Sequence, residues 1–195
     1  MSERNKTGLT ERKREIIEEA IEILASEGYA YLTMRAVARA SGMKLGALQY
    51  HFPTWEDLLH DLATFIAEEY DRSFDALAAG ATSPDLRETV EFLLDSPADA
   101  TLHADRLFPQ LWAMAQVEPV LEQLLDRIYR RYLDVLEERL LDEGSLAPRA
   151  EALALMSLVE GSVLFVGQGR RWARDAKSLR DTVLEFIEAN YGKKG

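Results

Sequence analysis

The chain has 195 residues, 47% of them hydrophobic, which suits one large or two small domains with a sizeable core rather than a disordered chain. With 23 basic and 34 acidic residues its net charge is −11, a balance that as a whole repels nucleic acid. It contains no cysteine, which excludes disulfides, thiolate metal sites and cysteine nucleophiles. The first apolar run is short and broken by charge, so neither a secretory signal nor a membrane span is expected, and a cytoplasmic location is.

Residues from Thr10 to about Glu27 carry Ile16, Ile17, Ala20, Ile23 and Leu24 at helical spacing, and Gly28 stops the run. Thr33 reads as the N-cap of a short helix containing Val37 and Ala38. Gly42 supplies a residue able to take positive φ, so the chain can reverse there without strain. A second short helix follows, with Leu48 and Phe52 four apart on one face, and Pro53 ends it. Two short helices joined through a glycine turn are the pattern of a helix-turn-helix. With the first helix they predict a three-helix head over residues 1–53.

Thr54 reads as a further N-cap, with Glu56 and Asp57 favourably placed in the first turn. The helix from Trp55 is expected to reach about Ala79, where Gly80 and Ser83-Pro84 break it. More helices are predicted over 85–94, 98–116, 119–142, 148–167 and 176–190. Their separators are Ser96-Pro97, Glu118-Pro119, Gly144 with Pro148, and the Gly167-Gln168-Gly169 turn. Pro109 lies inside one segment and is expected to kink or split it. Nothing alternates with period two for long enough to need a strand. The expected fold class is therefore all-α: a helix-turn-helix head and a helical bundle over 54–195.

In the second short helix, Leu48 and Phe52 would dock on Val37 and Ala38. At about 100° per residue, Gly46 and Tyr50 then point the opposite way, with Ala47 and Gln49 on the flanks. That surface is small, polar and aromatic, and suited to a DNA major groove. Charge agrees. Residues 28–55 contain Arg35, Arg39 and Lys44 and no acid, and residues 1–14 hold five basic residues against two acidic ones. Up to Trp55 there are eight basic and seven acidic residues; beyond it there are fifteen and twenty-seven. Phosphate contacts supply affinity, and base edges supply specificity.

Along residues 150–166, Leu153, Leu155, Met156, Leu158, Val159, Val163, Leu164, Phe165 and Val166 occupy almost every side of the helix. A helix apolar all round must be buried all round. One face can meet its own core and the other a second subunit, with Gly161-Ser162 allowing close approach. The last helix adds Leu179, Val183, Phe186 and Ile187. Two such helices meeting their symmetry mates would form a four-helix dimer interface; the alternative is a central core helix within a monomer.

The segment GYAYLTMRAVARASGMKLGALQYHFPTWEDLL resembles the DNA-binding head of the TetR family of bacterial transcriptional regulators. Its landmarks here are Thr33, Ala38, Gly42, Gly46, Leu48, His51, Phe52 and the run Glu56-Asp57-Leu58-Leu59. The resemblance covers roughly residues 10–60; the remainder is similar only in being helical. It implies a homodimer that binds a partly palindromic double-stranded operator and lets go when a small molecule binds: a repressor, or alternatively a ligand-dependent activator. The two parts would then be a DNA-binding domain, 1–53, and a ligand-binding and dimerisation domain, 54–195. Three departures from the family pattern stand out. Lys44-Leu45 replaces a small hydroxyl residue followed by lysine, Gln49 stands where tyrosine is common, and Trp55 stands where lysine is usual.

The candidate DNA-binding residues are Thr33, Arg35, Lys44, Leu45, Gly46, Ala47, Gln49, Tyr50 and His51. Lys44, Gln49 and Tyr50 are expected to reach bases or nearby phosphates, since Gln pairs bidentately with adenine and Leu45 can pack inward or touch a thymine methyl. Thr33, Arg35 and His51 are expected to hold the backbone, and Arg4 and Lys6 to form an arm, with Arg12 and Lys13 opening the first helix. Candidate effector residues are Phe65, Phe74, His103, Phe108, Trp112, Gln116 and Tyr129, with Trp112 and Gln116 as a preferred pocket edge. Glu91, Asp99 or Glu160 would favour a cationic ligand. No cofactor or metal is expected. The three histidines, His51, His60 and His103, lack the paired helical spacing of a zinc site, and no glycine loop cradles a phosphate. An enzyme or a helical adaptor is the rival reading.

Overall fold

A computed structural model of the chain describes residues 10–78, 84–95, 102 and 104–192. The expectations placed on Arg4, Lys6, Gly80, Ser83, Ser96-Pro97, Asp99 and His103 lie outside the described residues. Among these residues the protein is all helical, with no strand: α1 (Glu11–Ser26), α2 (Met34–Ala40), α3 (Leu45–His51), α4 (Trp55–Ala78), α5 (Leu86–Asp95), α6 (Ala104–Ala115), α7 (Pro119–Asp142), α8 (Pro148–Val166) and α9 (Ala176–Tyr191). Short 3-10 turns occur at Tyr29–Tyr31 and Ala173–Asp175. No described helix is long and apolar enough to cross a membrane.

The helix boundaries follow local chemistry. Thr10 Oγ1 accepts from the Lys13 amide and Thr33 Oγ1 from the Ala36 amide, so each satisfies one orphan N–H of its helix. At the start of α4, Thr54 and Asp57 form a reciprocal pair. Asp57 N donates to Thr54 Oγ1 at 3.1 Å, and Thr54 N donates to the Asp57 carboxylate at 3.0 Å. This is a capping box with aspartate in place of the usual glutamate.

Pro109 does not split its helix: α6 runs from Ala104 to Ala115 through it. The proline forfeits one backbone hydrogen bond, but Leu107, Phe108, Leu111 and Met114 around it are buried. Tertiary packing of that face outweighs the local break.

The described residues fall into two compact units. The first lies within residues 1–71 and 101–127, the second within 72–100 and 128–195. In the first, α1 packs on α2 and α6, and α2 packs on α3, around Ile16, Ile17, Ala20, Leu24, Val37, Leu48 and Phe52. In the second, α5, α8 and α9 pack on one another. Their core includes Val90, Leu155, Val159, Val183 and Ile187. Arg180 on α9 reaches Asp95 at 2.8 Å and also pairs with Glu91, while Tyr191 donates to Glu151 at 2.7 Å.

Within the single chain, α8 is buried on one side only. Ala152, Leu155, Met156 and Val159 face the core, whereas Leu153, Leu158, Leu164 and Phe165 are exposed, the last two at 56% and 58%. The central core helix of a monomer is thus not what the chain builds.

Candidate nucleic-acid interface

The reading helix α3 is held from behind. Leu48 and Phe52 are fully buried with Val37 and Ala38, as their spacing predicts. The turn between α2 and α3 is a Schellman closure: the Met43 amide donates to the Ala38 carbonyl at 2.9 Å and the Gly42 amide to that of Arg39 at 3.1 Å. Gly42 sits at φ +67°, where a side chain is strained. From α1, Arg12 donates to the Ser41 carbonyl at 2.8 Å. Lys13 pairs with Asp61 at 2.7 Å and lies 4.7 Å over the Phe52 ring. These two cations, placed by their sequence position near DNA, therefore brace the head internally.

What remains on the outside is polar and free of acid. Lys44, Gly46, Ala47, Gln49 and Tyr50 are exposed, Tyr50 at 86%, and Leu45 and His51 are half-buried. Tyr50 and His51 meet edge-on, 5.6 Å between ring centres. A Cβ added at Gly46 meets nothing within 4 Å, so that point of α3 is open to a close neighbour. No side chain caps α3 at Lys44, which leaves its first amides available to an anion such as a phosphate. Thr33 and Arg35 are exposed at the start of α2, with the Thr33 hydroxyl serving as its cap.

One structural cluster has no counterpart in the sequence reading. Glu118, just before α7, accepts from the Tyr29 hydroxyl at 3.0 Å and from the Trp55 indole N–H at 3.2 Å. Beside it the Tyr29 amide donates to the Gln110 side chain at 3.0 Å. Burial, and then the Glu118 carboxylate, raise the Tyr29 phenol above its ordinary pKa. The only hint in the sequence was Trp55 standing in place of a lysine. Its indole is turned to this internal contact.

The candidate effector residues fall into both units. In the first, Phe65 is buried under the Arg14 guanidinium, and Phe108 meets Tyr70 edge-on at 5.3 Å. Trp112 is 47% exposed and Gln116 is exposed; they share one face through a long contact from the Gln116 amide to the Trp112 carbonyl at 3.5 Å. In the second, buried Phe74 packs on Tyr132 at 4.9 Å and on Phe92 at 5.7 Å, and Tyr129 meets Tyr132 at 6.1 Å. Tyr129 also hydrogen-bonds Glu160, whose carboxyl is pushed up by burial. Among the described residues no group of three or more His, Cys, Asp or Glu side chains is placed to hold a metal ion.

Comparison with known proteins points the same way. Residues 16–62, which contain all of α2 and α3, match the model for bacterial regulatory proteins of the tetR family. The HTH-type transcriptional regulator CymR of Pseudomonas putida is 28% identical over 193 residues, 94% of this chain and 92% of that protein. An uncharacterized HTH-type transcriptional regulator in the dhlA 5' region of Xanthobacter autotrophicus is 31% identical, covering 88% of each chain. A transcriptional regulator structure from Saccharomonospora viridis, in complex with choline, superposes with a TM-score of 0.74 at 22% identity, over 92% of this chain and 97% of that one; this likeness concerns the fold. A helix-turn-helix braced from behind and bare in front, matched across nearly the whole length of such regulators, places the chain in the TetR family of bacterial transcriptional regulators.

Proposed function

We propose that the protein acts in the cytoplasm as a homodimeric repressor that binds a specific double-stranded operator and releases it when a small molecule binds. The observation that carries this reading is α3: its inner side is buried, and its outer side offers Lys44, Gly46, Ala47, Gln49 and Tyr50 within a window that has no acid. Lys44, Gln49 and Tyr50 reach base edges or neighbouring phosphates, and Leu45 and Ala47 lie against thymine methyls. Thr33, Arg35 and His51 hold the sugar-phosphate backbone. Residues 1–53 form the DNA-binding domain and 54–195 the effector and dimerisation domain. The role is one of binding rather than catalysis.

The exposed apolar side of α8, with Phe186 of α9, supports the dimer. A dimer grips two half-sites roughly 34–36 Å apart, so an effector that favours another spacing of the heads lifts one reading helix from its groove. The shift equals only the difference in its affinity for the two states. The part of the chain beyond Trp55 supplies the effector site, the candidates being Phe65, Phe108, Trp112 and Gln116 in the first unit and, separately, Phe74 and Tyr129 in the second. A small-molecule effector is supported by the choline held by the Saccharomonospora viridis protein of the same fold.

The test is selection of bound sequences from a random DNA pool, followed by titration at fixed salt. The reading requires a two-fold-related motif that Tyr50→Ala and Gln49→Ala bind more weakly. Recovery of no common motif would sink it.

A further inference from the structure

We propose that Glu160, with Tyr129 and Tyr132, binds the positive charge of an organic cation, and that the effector is of this class. The inference deepens the effector reading above and rests on it.

Glu160 stands at an unusual place. At about 100° per residue it lies about 40° from buried Met156 and about 20° and 40° from exposed Leu153 and Leu164, at the border between the core side of α8 and its bare apolar side. It is half-buried, and no cation among the described residues pairs with it. Its partner is the Tyr129 hydroxyl. Burial disfavours the charged carboxylate, and a single phenol donor leaves most of its acceptor capacity unused. Among the other half-buried acids of this unit, Glu91 is neutralised by Arg180, Glu137 by Arg149 and Asp181 by Lys177. Glu160, like Glu151 beneath the Tyr191 hydroxyl, has a phenol rather than a cation as its partner, and it alone of the two stands beside the Tyr129–Tyr132 pair.

The surroundings narrow the class of cation. Tyr129 and Tyr132 meet edge-on, and Phe74 and Phe92 continue the aromatic cluster. Aromatic faces attract a diffuse positive charge. The cluster already does so within the chain, since the Arg131 guanidinium lies 4.9 Å over Phe74. A small divalent ion needs several oxygen or nitrogen ligands in a fixed geometry, and no such group is assembled here. A quaternary ammonium, a phosphonium or a protonated aromatic amine needs one carboxylate and apolar walls. Tyr129 and Glu160 are both partly exposed, so the carboxylate is reachable from solvent.

The experiment is calorimetry on the full chain with three probes of similar size: tetraphenylphosphonium, neutral triphenylphosphine oxide and tetraphenylborate. The expected order is cation, then neutral, with the anion weakest. Glu160→Gln should weaken tetraphenylphosphonium binding by roughly tenfold or more and leave triphenylphosphine oxide unchanged. Equal affinity of the unsubstituted protein for cation and anion overturns the proposal even if the variant fails to fold, and so does an E160Q protein that binds the cation normally. An operator-release assay with the same compounds separates the two claims. Release by neutral or anionic compounds alone keeps small-molecule control and removes the cation. Glu160-dependent cation binding that never alters operator affinity keeps the site and removes its role as the effector site.

Discussion

The outer faces of α3 and α8 are both exposed in the single chain, yet α3 presents Gly46, Ala47, Gln49 and Tyr50 whereas α8 presents Leu153, Leu158, Leu164 and Phe165. Each helix is fixed by a buried inner side, so the contrast lies wholly in what is left over. Water solvates the α3 face at little cost, and on the proposed function partners there would be chosen by hydrogen bonds whose geometry discriminates among bases. The α8 face leaves apolar surface in water at about 25 cal/mol for each Å², a driving force without directional choice. Phe165 and Trp172, 6.0 Å apart, extend it. One surface therefore fits selection of a sequence, and the other assembly.

The largest effect should come from breaking the second surface while sparing the first. Leu164→Asp is expected to yield monomers in sedimentation and to cut operator affinity by about 10²-fold or more, because the two half-sites are no longer bound as one event. A dimer that persists with that charge would remove α8 from the interface. Next, Tyr50→Ala or Gln49→Ala should cost roughly 1–3 kcal/mol of operator binding each, with an unchanged thermal melt. A lowered melt would instead make those side chains part of the packing.

Gly42→Ala sharpens the distinction between scaffold and reading surface. Its φ of +67° should cost about 1–2 kcal/mol of stability in urea unfolding, although a Cβ there meets no neighbour. Gly46→Ala should do the reverse. It removes a glycine from a helix and should gain about 0.5–1 kcal/mol of stability, while adding a methyl group where, on the proposed function, α3 would approach DNA, and so should weaken operator binding. A Gly46→Ala protein that is more stable and equally tight would place DNA elsewhere.

Much of this architecture was readable because it is set by nearby residues. The Pro119–Asp142 helix begins and ends where Pro119 and Gly144 require, and the caps at Thr33 and Thr54 form as their positions imply. The inner face of α3 followed from the Leu48–Phe52 spacing alone. Pro109 was misleading because the packing around it is tertiary. Arg12 and Lys13 read as available charge, yet their partners Ser41 and Asp61 lie 29 and 48 residues away. The Glu118 cluster spans 89 and 63 residues to Tyr29 and Trp55, a separation over which no periodicity carries information. Effector residues were hardest to read, since a core aromatic and a pocket aromatic obey the same helical spacing.

The Glu118 cluster also makes the protein its own optical probe. Trp55 is one of three tryptophans; Trp112 and Trp172 are 47% and 49% exposed, so their emission is that of water-facing indoles. With both replaced by phenylalanine, all tryptophan fluorescence would arise from an indole whose N–H rests on a carboxylate at the junction of α4 with the turn before α7. Its wavelength and quenching by iodide would follow that one contact. Adding DNA would then show, without any attached dye, whether the seat of the head is kept or given up.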